Sequence, residues 1–368
     1  MIVIPGKPMP MKKLLFALIP VFIFSLHPMA QGRMVRVGEI QGYITLKCDF
    51  HAHTVFSDGE VWPTVRIDEA AKEGLDVIAI TDHVEYQPNK EYIPADLNAA
   101  WKIAGEEAGK KNILLVHGAE ITRKMPPGHF NALFIEDAAK LTDKDFLTAV
   151  GEAVNQGAFI QWNHPGWKAQ RPTGDTHPDS IHTVLLGKKW MNGIEIANDV
   201  ESYQGVLPLC LENHIAVMAN SDIHAPFDPA YYPGANPHRP VTLVFAKGRS
   251  LRELREALFA GRTLAWFGDS LAGNREYAAP FVSSCLEIGK IYYQNEKYNW
   301  REITNMSDIP FELTVKNGAA AGGVKKISLP SNSKVRLRMP VGQGSKLECT
   351  VTNVKIADNQ PLEITLGF

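Results

Sequence analysis

The chain has 368 residues, of which 45% are hydrophobic and 21% charged, a composition typical of a globular protein and not of a disordered or fibrous chain. This length suffices for one large domain with an appendage, or for two domains. A formal net charge of −2 and basic runs of no more than two residues argue against a general affinity for nucleic acid or acidic membranes.

The first thirty residues have the order of a secretory signal peptide. Lys12 and Lys13 precede an apolar stretch at 14–26, and small or turn-forming residues follow as far as Ala30. The apolar stretch is too short for a comfortable membrane span. We therefore expect translation to start at Met11, cleavage near residue 30, and export to the periplasm or the medium. An uncleaved anchor and a buried N-terminal helix are the alternatives.

Strand-like and helix-like segments alternate from about residue 42 to 265. The predicted strands are Ile44–Phe50, Val77–Ile80, Ile113–Val116, Ala132–Ile135, Phe159–Trp162, Gly193–Ile196, Val217–Ala219 and Val241–Phe245. The predicted helices are Thr64–Glu73, Ala95–Lys110, Asp145–Gln156, Ser202–Glu212 and Ser250–Phe259, the last with Ser250 as its N-cap. Alternating elements predict a parallel sheet, and seven or eight such units predict a closed α/β barrel with its functional residues at the C-terminal strand ends.

The pattern changes after Gly268. Helical periodicity is lost from about residue 275, and short alternating runs predict a small antiparallel, sandwich-like β-domain. Its predicted strands are Ser283–Ile288, Phe311–Val315, Lys334–Met339, Leu347–Val354 and Leu362–Leu366. We therefore divide the chain into a signal peptide (1–30), a barrel (31–272) and a β-domain (273–368). The β-domain has no cluster of ligand-type residues, so we expect a structural or docking role for it.

The four cysteines are too few for a disulfide scaffold. Cys48 and Cys210 lie in apolar runs and are expected to be buried thiols. Cys285 and Cys349 both fall in the C-terminal region, where export would permit a bridge between them. Two free buried thiols are the alternative, because the sequence gives no distance between them.

Metal-ligand side chains recur where the strand-like runs end. They are His51 and His53, Asp82 and His83, His117 and Glu120, His129, Asn163 and His164, and Asp222 and His224. One such histidine alone would most often be an ordinary core or surface residue. Imidazole and carboxylate together suit Zn, Mn or Fe better than Ca or Mg. Six such stretches together predict the site of a metal-dependent hydrolase.

These motifs resemble the PHP family of metal-dependent phosphoesterases, named for polymerase and histidinol phosphatase. The resemblance covers residues 42–265 and rests on the ordered motifs Asp49-Phe-His51-Ala-His53 with Asp58, Thr81-Asp82-His83, Gly118-Ala-Glu120, His129, Asn163-His164-Pro and Ser221-Asp222-Ile-His224. It implies a distorted (β/α)7 TIM-like barrel with a trinuclear site. One metal would be held by His51, His53, Glu120 and Asp222. Glu120 would bridge to a second metal on His129 and His164, and Asp58, His83 and His224 would hold the third.

Three further residues are predicted to support this site. Asp49 is a candidate for orienting a ligand imidazole, and Asp82 is a candidate for doing the same for His83. Arg123, close to Glu120, is a candidate phosphate ligand because its planar guanidinium matches phosphate oxygens. The alternatives are an ordinary aspartate at a strand end and a solvated surface arginine.

The leading hypothesis is an exported phosphoesterase that acts on a small phosphorylated molecule. Two or three divalent ions (Zn, Mn or Fe) would supply a metal-bound hydroxide as the nucleophile and stabilise the phosphoryl oxygens. Long nucleic acid is not expected as a substrate, and no membrane span is expected after signal removal. One alternative is a hydrolase of a non-phosphate bond, as in the amidohydrolases, which bridge two metals with a modified lysine. The other is a binding module without catalysis.

Overall fold

The computed structural model describes residues 34–94, 96–317, 322–342 and 346–367. The predicted signal peptide at 1–30 lies outside these residues. Among the helices in these ranges, none is long and apolar enough to cross a membrane.

A mixed sheet, covered by helices, forms the first two thirds of the described chain. Its strands are β1 (Ile44–Asp49), β2 (Val77–Ile80), β3 (Leu114–Ile121), β4 (Phe130–Leu133), β5 (Phe159–Trp162), β6 (Gly193–Asn198), β7 (Glu201–Ser202), β8 (Ala216–Asn220), β9 (Val241–Ala246), β10 (Thr263–Phe267) and β11 (Ser270–Gly273). The helices are α1 (Pro63–Glu73), α2 (Ala99–Lys111), α3 (Phe146–Asn155), α4 (Ser180–Gly187), α5 (Leu207–Glu212), α6 (Leu251–Phe259) and α7 (Arg275–Cys285). Short 3₁₀ turns lie at Ala138–Leu141, Gln204–Val206 and Pro229–Tyr231.

The strands pair in parallel within two groups, as the alternating pattern predicts. β1, β2 and β3 form one group, and β5, β6 and β8 form the other. β4 is antiparallel to both β3 and β5, because the chain reverses through residues 122–129 without an intervening helix. β9 is likewise antiparallel to β1. The prediction of a parallel sheet therefore fails at these two strands.

Threonine hydroxyls connect β8 to the strands beside it. Thr242 of β9 accepts the amide of Ala219 at 2.9 Å and donates to the carbonyl of the same residue at 2.9 Å. Thr263 of β10 accepts the amide of Val217 at 2.9 Å. These buried side chains provide hydrogen-bond partners for backbone groups of β8 that the strand pairings do not satisfy.

The C-terminal region contains two antiparallel sheets. Its strands are β12 (Leu286–Ile288), β13 (Tyr293–Gln294), β14 (Tyr298–Asn305), β15 (Phe311–Val315), β16 (Lys326–Leu329), β17 (Lys334–Pro340), β18 (Lys346–Ala357) and β19 (Gln360–Gly367). β14 pairs with β12, β13 and β17, whereas β18 pairs with β15 and β19. β18 also pairs in parallel with β11, so the first sheet continues into the second region.

The prediction that helical structure ends before residue 275 is wrong. Asn274 caps α7 by accepting the amide of Glu276 at 2.9 Å, and only the last three residues of the predicted strand Ser283–Ile288 are extended. Pro280 lies inside α7 and interrupts the helical sequence pattern. Of the two alternatives for the cysteines, the structure has the free thiols: all four are unpaired and buried.

Candidate metal centre

Two ligand-bearing segments run side by side beyond the ends of β1 and β8. The amide of Asp222 donates to the carbonyl of His51 at 2.8 Å, and the amide of His53 donates to the carbonyl of Ile223 at 3.0 Å. His51 and His53 are two residues apart in an extended segment, so their side chains project to the same side. This pairing brings the first and last predicted motifs, 170 residues apart in sequence, into one site.

Donor atoms around Asp222 have the spacing of ligands on one ion. Its Oδ1 lies 3.0 Å from His53 Nε2 and 3.1 Å from His51 Nε2. Glu120 Oε1 lies 3.4 Å from the same His51 atom, and His164 Nε2 lies 3.6 Å from Glu120. Ligands held at about 2.1 Å in a tetrahedral site are about 3.4 Å apart. The cluster therefore matches the spacing that a divalent ion requires.

Asp58 organises a second part of the cluster. Its carboxylate lies 3.2 Å from His224 Nε2, 3.5 Å from His83 Nε2 and 3.7 Å from His53 Nδ1. These three imidazoles also pack on one another, and the rings of His53 and His224 stack at 4.2 Å between centroids.

All nine predicted ligands belong to one continuous cluster. Four groups have donor atoms within 4.8 Å of one another: His53, Asp58, His83 and His224; His51, His53 and Glu120; His51, His164 and Asp222; and His83, Glu120 and His129. The first group contains the three ligands predicted for the third metal, Asp58, His83 and His224, together with His53. His164 groups with His51 and Asp222, and His129 groups with His83 and Glu120.

His117 does not join the cluster. It lies on β3 three residues before Glu120, so the two side chains leave the strand on opposite faces. Its ring stacks on Trp101 of α2 at 4.3 Å between centroids. Burial lowers the pKa of His117 to about 4, so this histidine is a neutral packing residue.

Several buried donor atoms in the cluster lack a hydrogen bond. They are His51 Nε2, His53 Nε2, Asp58 Oδ1 and Glu120 Oε2. A buried polar atom without a hydrogen-bond partner costs about 1–3 kcal/mol, so four in one cluster need an explanation. Cations coordinated by these atoms would remove that cost, and the nitrogen and oxygen donors suit transition-metal ions. The residues present therefore fit a site for divalent metals.

The cluster forms the floor of a cavity of about 350 Å³. Its walls come from Trp167 and from the segment that joins β6 to the following 3₁₀ turn, including Asn198, Asp199, Glu201 and Tyr203. A cavity of this size accepts a small molecule.

Sequence and structure comparisons agree with this geometry. The PHP domain profile matches residues 49–204, and an Ig-like domain profile matches residues 286–367. A crystal structure from Bacteroides vulgatus, described as a two-domain protein containing a predicted PHP-like metal-dependent phosphoesterase, is 39% identical, with a TM-score of 0.85. The match covers 92% of this chain and 99% of that one. The chain belongs to the PHP family. An uncharacterized protein of Methanocaldococcus jannaschii is 27% identical over 198 residues, which are 50% of this chain and 84% of that protein.

Charges in the PHP site shift the pKa values of its ligands. Burial opposes the charged imidazole of His83, yet Glu120 and Asp58 raise its pKa to about 10. Burial likewise opposes charge on His51, and Asp222, Glu195 and Glu120 raise its pKa well above the ordinary value. Divalent ions that bind here would have to displace protons from these two imidazoles.

His53 shifts in the opposite direction. Burial and the neighbouring imidazole of His83 lower its pKa to about 3, against the opposing effect of Asp222. His53 is therefore neutral at physiological pH, which is the form that binds a metal. Burial favours the neutral form of Glu120, but the surrounding histidines hold its pKa well below the ordinary value.

Glu195 of β6 is a supporting residue that the sequence reasoning missed. Its carboxylate is fully buried and accepts the Nδ1 proton of His51 at 3.0 Å, which leaves His51 Nε2 facing the cluster. It also accepts the amide of His164 at 2.8 Å. Side-chain amides of Gln161, Asn198 and Asn220 complete its shell at 2.8–3.0 Å. An acidic residue inside the apolar strand GIEIAN is the signal that could have found it.

Asp82 acts on the site through Ser57. It accepts the Ser57 hydroxyl at 2.7 Å, and that hydroxyl lies 3.2 Å from His53 Nδ1. It also accepts the amide and the hydroxyl of Thr54, both at 2.7 Å. Asp82 was predicted to orient the adjacent His83, whereas its contacts lead to His53.

Asp49 contacts the backbone of the ligand segments and not an imidazole. It accepts the amide of Ser221 at 3.0 Å and that of His51 at 3.3 Å, and it pairs with the buried Arg239 at 2.8 Å. The expectation that it orients a ligand ring is corrected here, because Glu195 occupies that position.

Arg123 does not line the cavity. Its guanidinium pairs with Glu85 and donates to the carbonyls of Thr122 at 2.9 Å and Asp143 at 2.7 Å. These protein oxygens accept from three of its five N–H donors and hold the guanidinium outside the lining of the cavity. The prediction that Arg123 binds substrate is corrected accordingly.

Proposed function

We propose that this PHP protein is an exported phosphoesterase that hydrolyses a small phosphorylated molecule at a site for three divalent ions, Zn, Mn or Fe. The environment of Glu120 is the observation that carries the proposal. Its carboxylate is 1% exposed and lies within 4 Å of five imidazoles, those of His51, His53, His83, His129 and His164. One carboxylate among so many imidazole ligands is the arrangement that a bridging ligand between metal ions needs.

Each residue has a proposed part in holding the ions. His51, His53, Asp222 and Glu120 would hold the first, and Glu120, His129 and His164 the second. Asp58, His83 and His224 would hold the third. When bound, such ions supply an activated water and stabilise charge on the phosphoryl oxygens. Asp199, Glu201 and the aromatic walls would then bind the rest of the substrate.

The cavity supports a small substrate. Of the described residues that line its 350 Å³, none is lysine or arginine, so the phosphate-binding charge would come from the ions. A long nucleic acid would require a basic track along its backbone, which this cavity lining does not provide.

The proposal that the protein is exported rests on the order of residues in the N-terminal sequence. Mass spectrometry of the N-terminus of the mature protein from cell fractions tests it directly. We expect an extracytoplasmic protein that begins near residue 31. A cytosolic protein that still begins at Met1 or Met11 would contradict export and would favour intracellular phosphomonoesters as substrates.

A panel assay tests the activity. The purified protein, loaded separately with Mn, Zn or Fe, is offered phosphomonoesters, phosphodiesters, nucleotides and a matched set of amides, with Glu120→Gln as the control. We expect hydrolysis of a phosphate ester by the wild-type protein alone, detected as free phosphate from a monoester and as released alcohol from a diester. Amide cleavage without hydrolysis of any phosphate ester would favour the amidohydrolase alternative. Binding of phosphorylated compounds without turnover of any of them would favour the binding module.

A further inference from the structure

A second lobe adjoins the metal cavity. This distal lobe has a volume of about 320 Å³ and shares Asp199, Asp222 and His224 with the metal cavity. Its remaining lining includes Asp228, Tyr231 and Tyr232. A phosphoryl group placed over the ions would therefore have space beside it for the alcohol part of an ester.

Both lobes have acidic walls. Besides the proposed metal ligands, the carboxylates of Asp199, Glu201 and Asp228 line them. Within the described ranges, no lysine or arginine lines either lobe. An additional negative charge on a substrate would meet only like charge here, away from the ions.

Asp199 occupies the junction of the two lobes in a fixed position. Its amide donates to the carbonyl of Asn220 at 3.2 Å, and its backbone is left-handed, with a φ of 51°. The hydroxyl of Tyr231 donates to its carboxylate at 2.8 Å. A carboxylate offers about four acceptor positions, so Asp199 can accept further hydrogen bonds from a ligand. Burial raises its pKa, which indicates a carboxylate that lacks full solvation.

Aromatic rings lie beside these carboxylates. Trp167 is 39% exposed and lies against His164, with 5.3 Å between ring centroids. Tyr231 is 56% exposed on the distal side. Exposed rings next to carboxylates suit a ligand that has both C–H faces and hydrogen-bond donors, or a cationic group.

We infer that the alcohol released from the phosphoester occupies the distal lobe, has several hydrogen-bond donors and no negative charge, and is selected by Asp199. This inference rests on the proposed phosphoesterase function. In the reaction, water forms a new P–O bond, the P–O bond to the alcohol breaks, and the alcohol oxygen regains a proton. Polyols and amino alcohols share the required donor chemistry. Anionic alcohols such as glycerate are disfavoured, because their carboxylate would lie beside Asp199.

Three phosphomonoesters of similar size separate these possibilities: glycerol phosphate, phosphoethanolamine and 3-phosphoglycerate. For the metal-loaded wild-type protein, we expect kcat/KM for glycerol phosphate or phosphoethanolamine to exceed that for 3-phosphoglycerate by at least about tenfold. The better of the first two identifies the alcohol as a polyol or an amino alcohol. Equal turnover of all three would contradict the inference.

The variant Asp199→Asn tests the assigned residue. We expect it to reduce the preference against 3-phosphoglycerate by about tenfold, mainly through KM, while the metal content stays unchanged. Glu212→Gln makes the same charge change at an exposed position of α5 and should leave the preference unaltered. An unaltered preference in Asp199→Asn would contradict the role of Asp199.

Failure of the wild-type protein to release phosphate from these esters and from p-nitrophenyl phosphate would contradict the proposed function itself, and the inference with it.

Discussion

Glu120 is the residue on which the proposed centre depends most. It is the one ligand assigned to two ions, and it is buried among imidazoles. We expect Glu120→Gln to lower turnover by more than about 100-fold with the fold intact, because loss of its charge weakens both sites. Steady-state kinetics with circular dichroism measure this. Asp58→Ala is the comparison and should lower turnover less, because Asp58 is assigned to one ion. Equal losses of turnover in the two variants would contradict the assignment of Glu120 to two ions.

Glu195 fixes the tautomer of His51 from behind. The variant Glu195→Gln keeps the shape of the side chain but removes the charge that accepts the His51 proton. We expect metal affinity to fall by about 10–100-fold, as for other residues that support metal ligands. Competition with a chromogenic chelator measures the dissociation constant, with Glu212→Gln as the exposed control. Unchanged affinity would show that Glu195 has no influence on ligand geometry.

The histidines make the metal-free protein sensitive to pH. The pKa of His83 is raised to about 10 in the folded state, from an ordinary value near 6.5. A group with a raised folded-state pKa stabilises the fold below its unfolded-state pKa, and this stabilisation is lost as pH rises towards 10. We therefore expect the Tm of chelator-treated protein to fall between about pH 6.5 and 10. The Tm of the metal-loaded protein should fall less over this pH range, because ions replace the protons. A rising Tm in the metal-free protein would contradict this assignment.

The proposed metal ligands could be predicted from the sequence, whereas contacts that depend on tertiary structure could not. The nine proposed ligands could be predicted because each belongs to a short motif, and the structure brings them together. Glu195 could not, because its partners come from segments far apart in the chain. The contact of Arg123 with Glu85 likewise depends on tertiary structure and could not be predicted from local sequence.

At the level of elements, short apolar runs were the most predictable. The boundaries of β2 and β5 match the prediction, because polar or ligand residues follow each run directly. Helices with an interrupted pattern were not predictable. α4 was missed, α7 contains Pro280, and the predicted helix Ser202–Glu212 begins instead as a 3₁₀ turn and becomes α5 at Leu207.

Helix α7 packs into the hydrophobic core that the first sheet shares with the Ig-like region. Phe281 of this helix is fully buried in that core and packs on Phe245 of β9, with 5.7 Å between ring centroids. We expect Phe281→Ala to lower the free energy of unfolding by about 3–5 kcal/mol. Denaturant titration measures the loss. Leu251→Ala, at a position of α6 that is 42% exposed, is the control and should cost less than about 1 kcal/mol. Equal costs would contradict this role of α7.

At the scale of the whole molecule, the sequence predicted a barrel followed by a β-domain, and the structure joins the two. The predicted boundary between residues 272 and 273 falls inside β11, which pairs with β18 of the Ig-like region. One hydrophobic core includes Leu264 and Trp266 on one side and Phe311 and Leu313 on the other. Sequence periodicity identifies strands but not their partners, so this continuity was not predictable.

The central claim is that the PHP site of this chain binds divalent ions and needs them for phosphoester hydrolysis. Metal analysis of the purified protein by inductively coupled plasma mass spectrometry, paired with phosphate release before and after chelation, tests it most directly. We expect two to three ions per chain, loss of activity on chelation, and recovery with Mn, Zn or Fe. Phosphate release at an undiminished rate from protein with less than one ion per chain would contradict the claim.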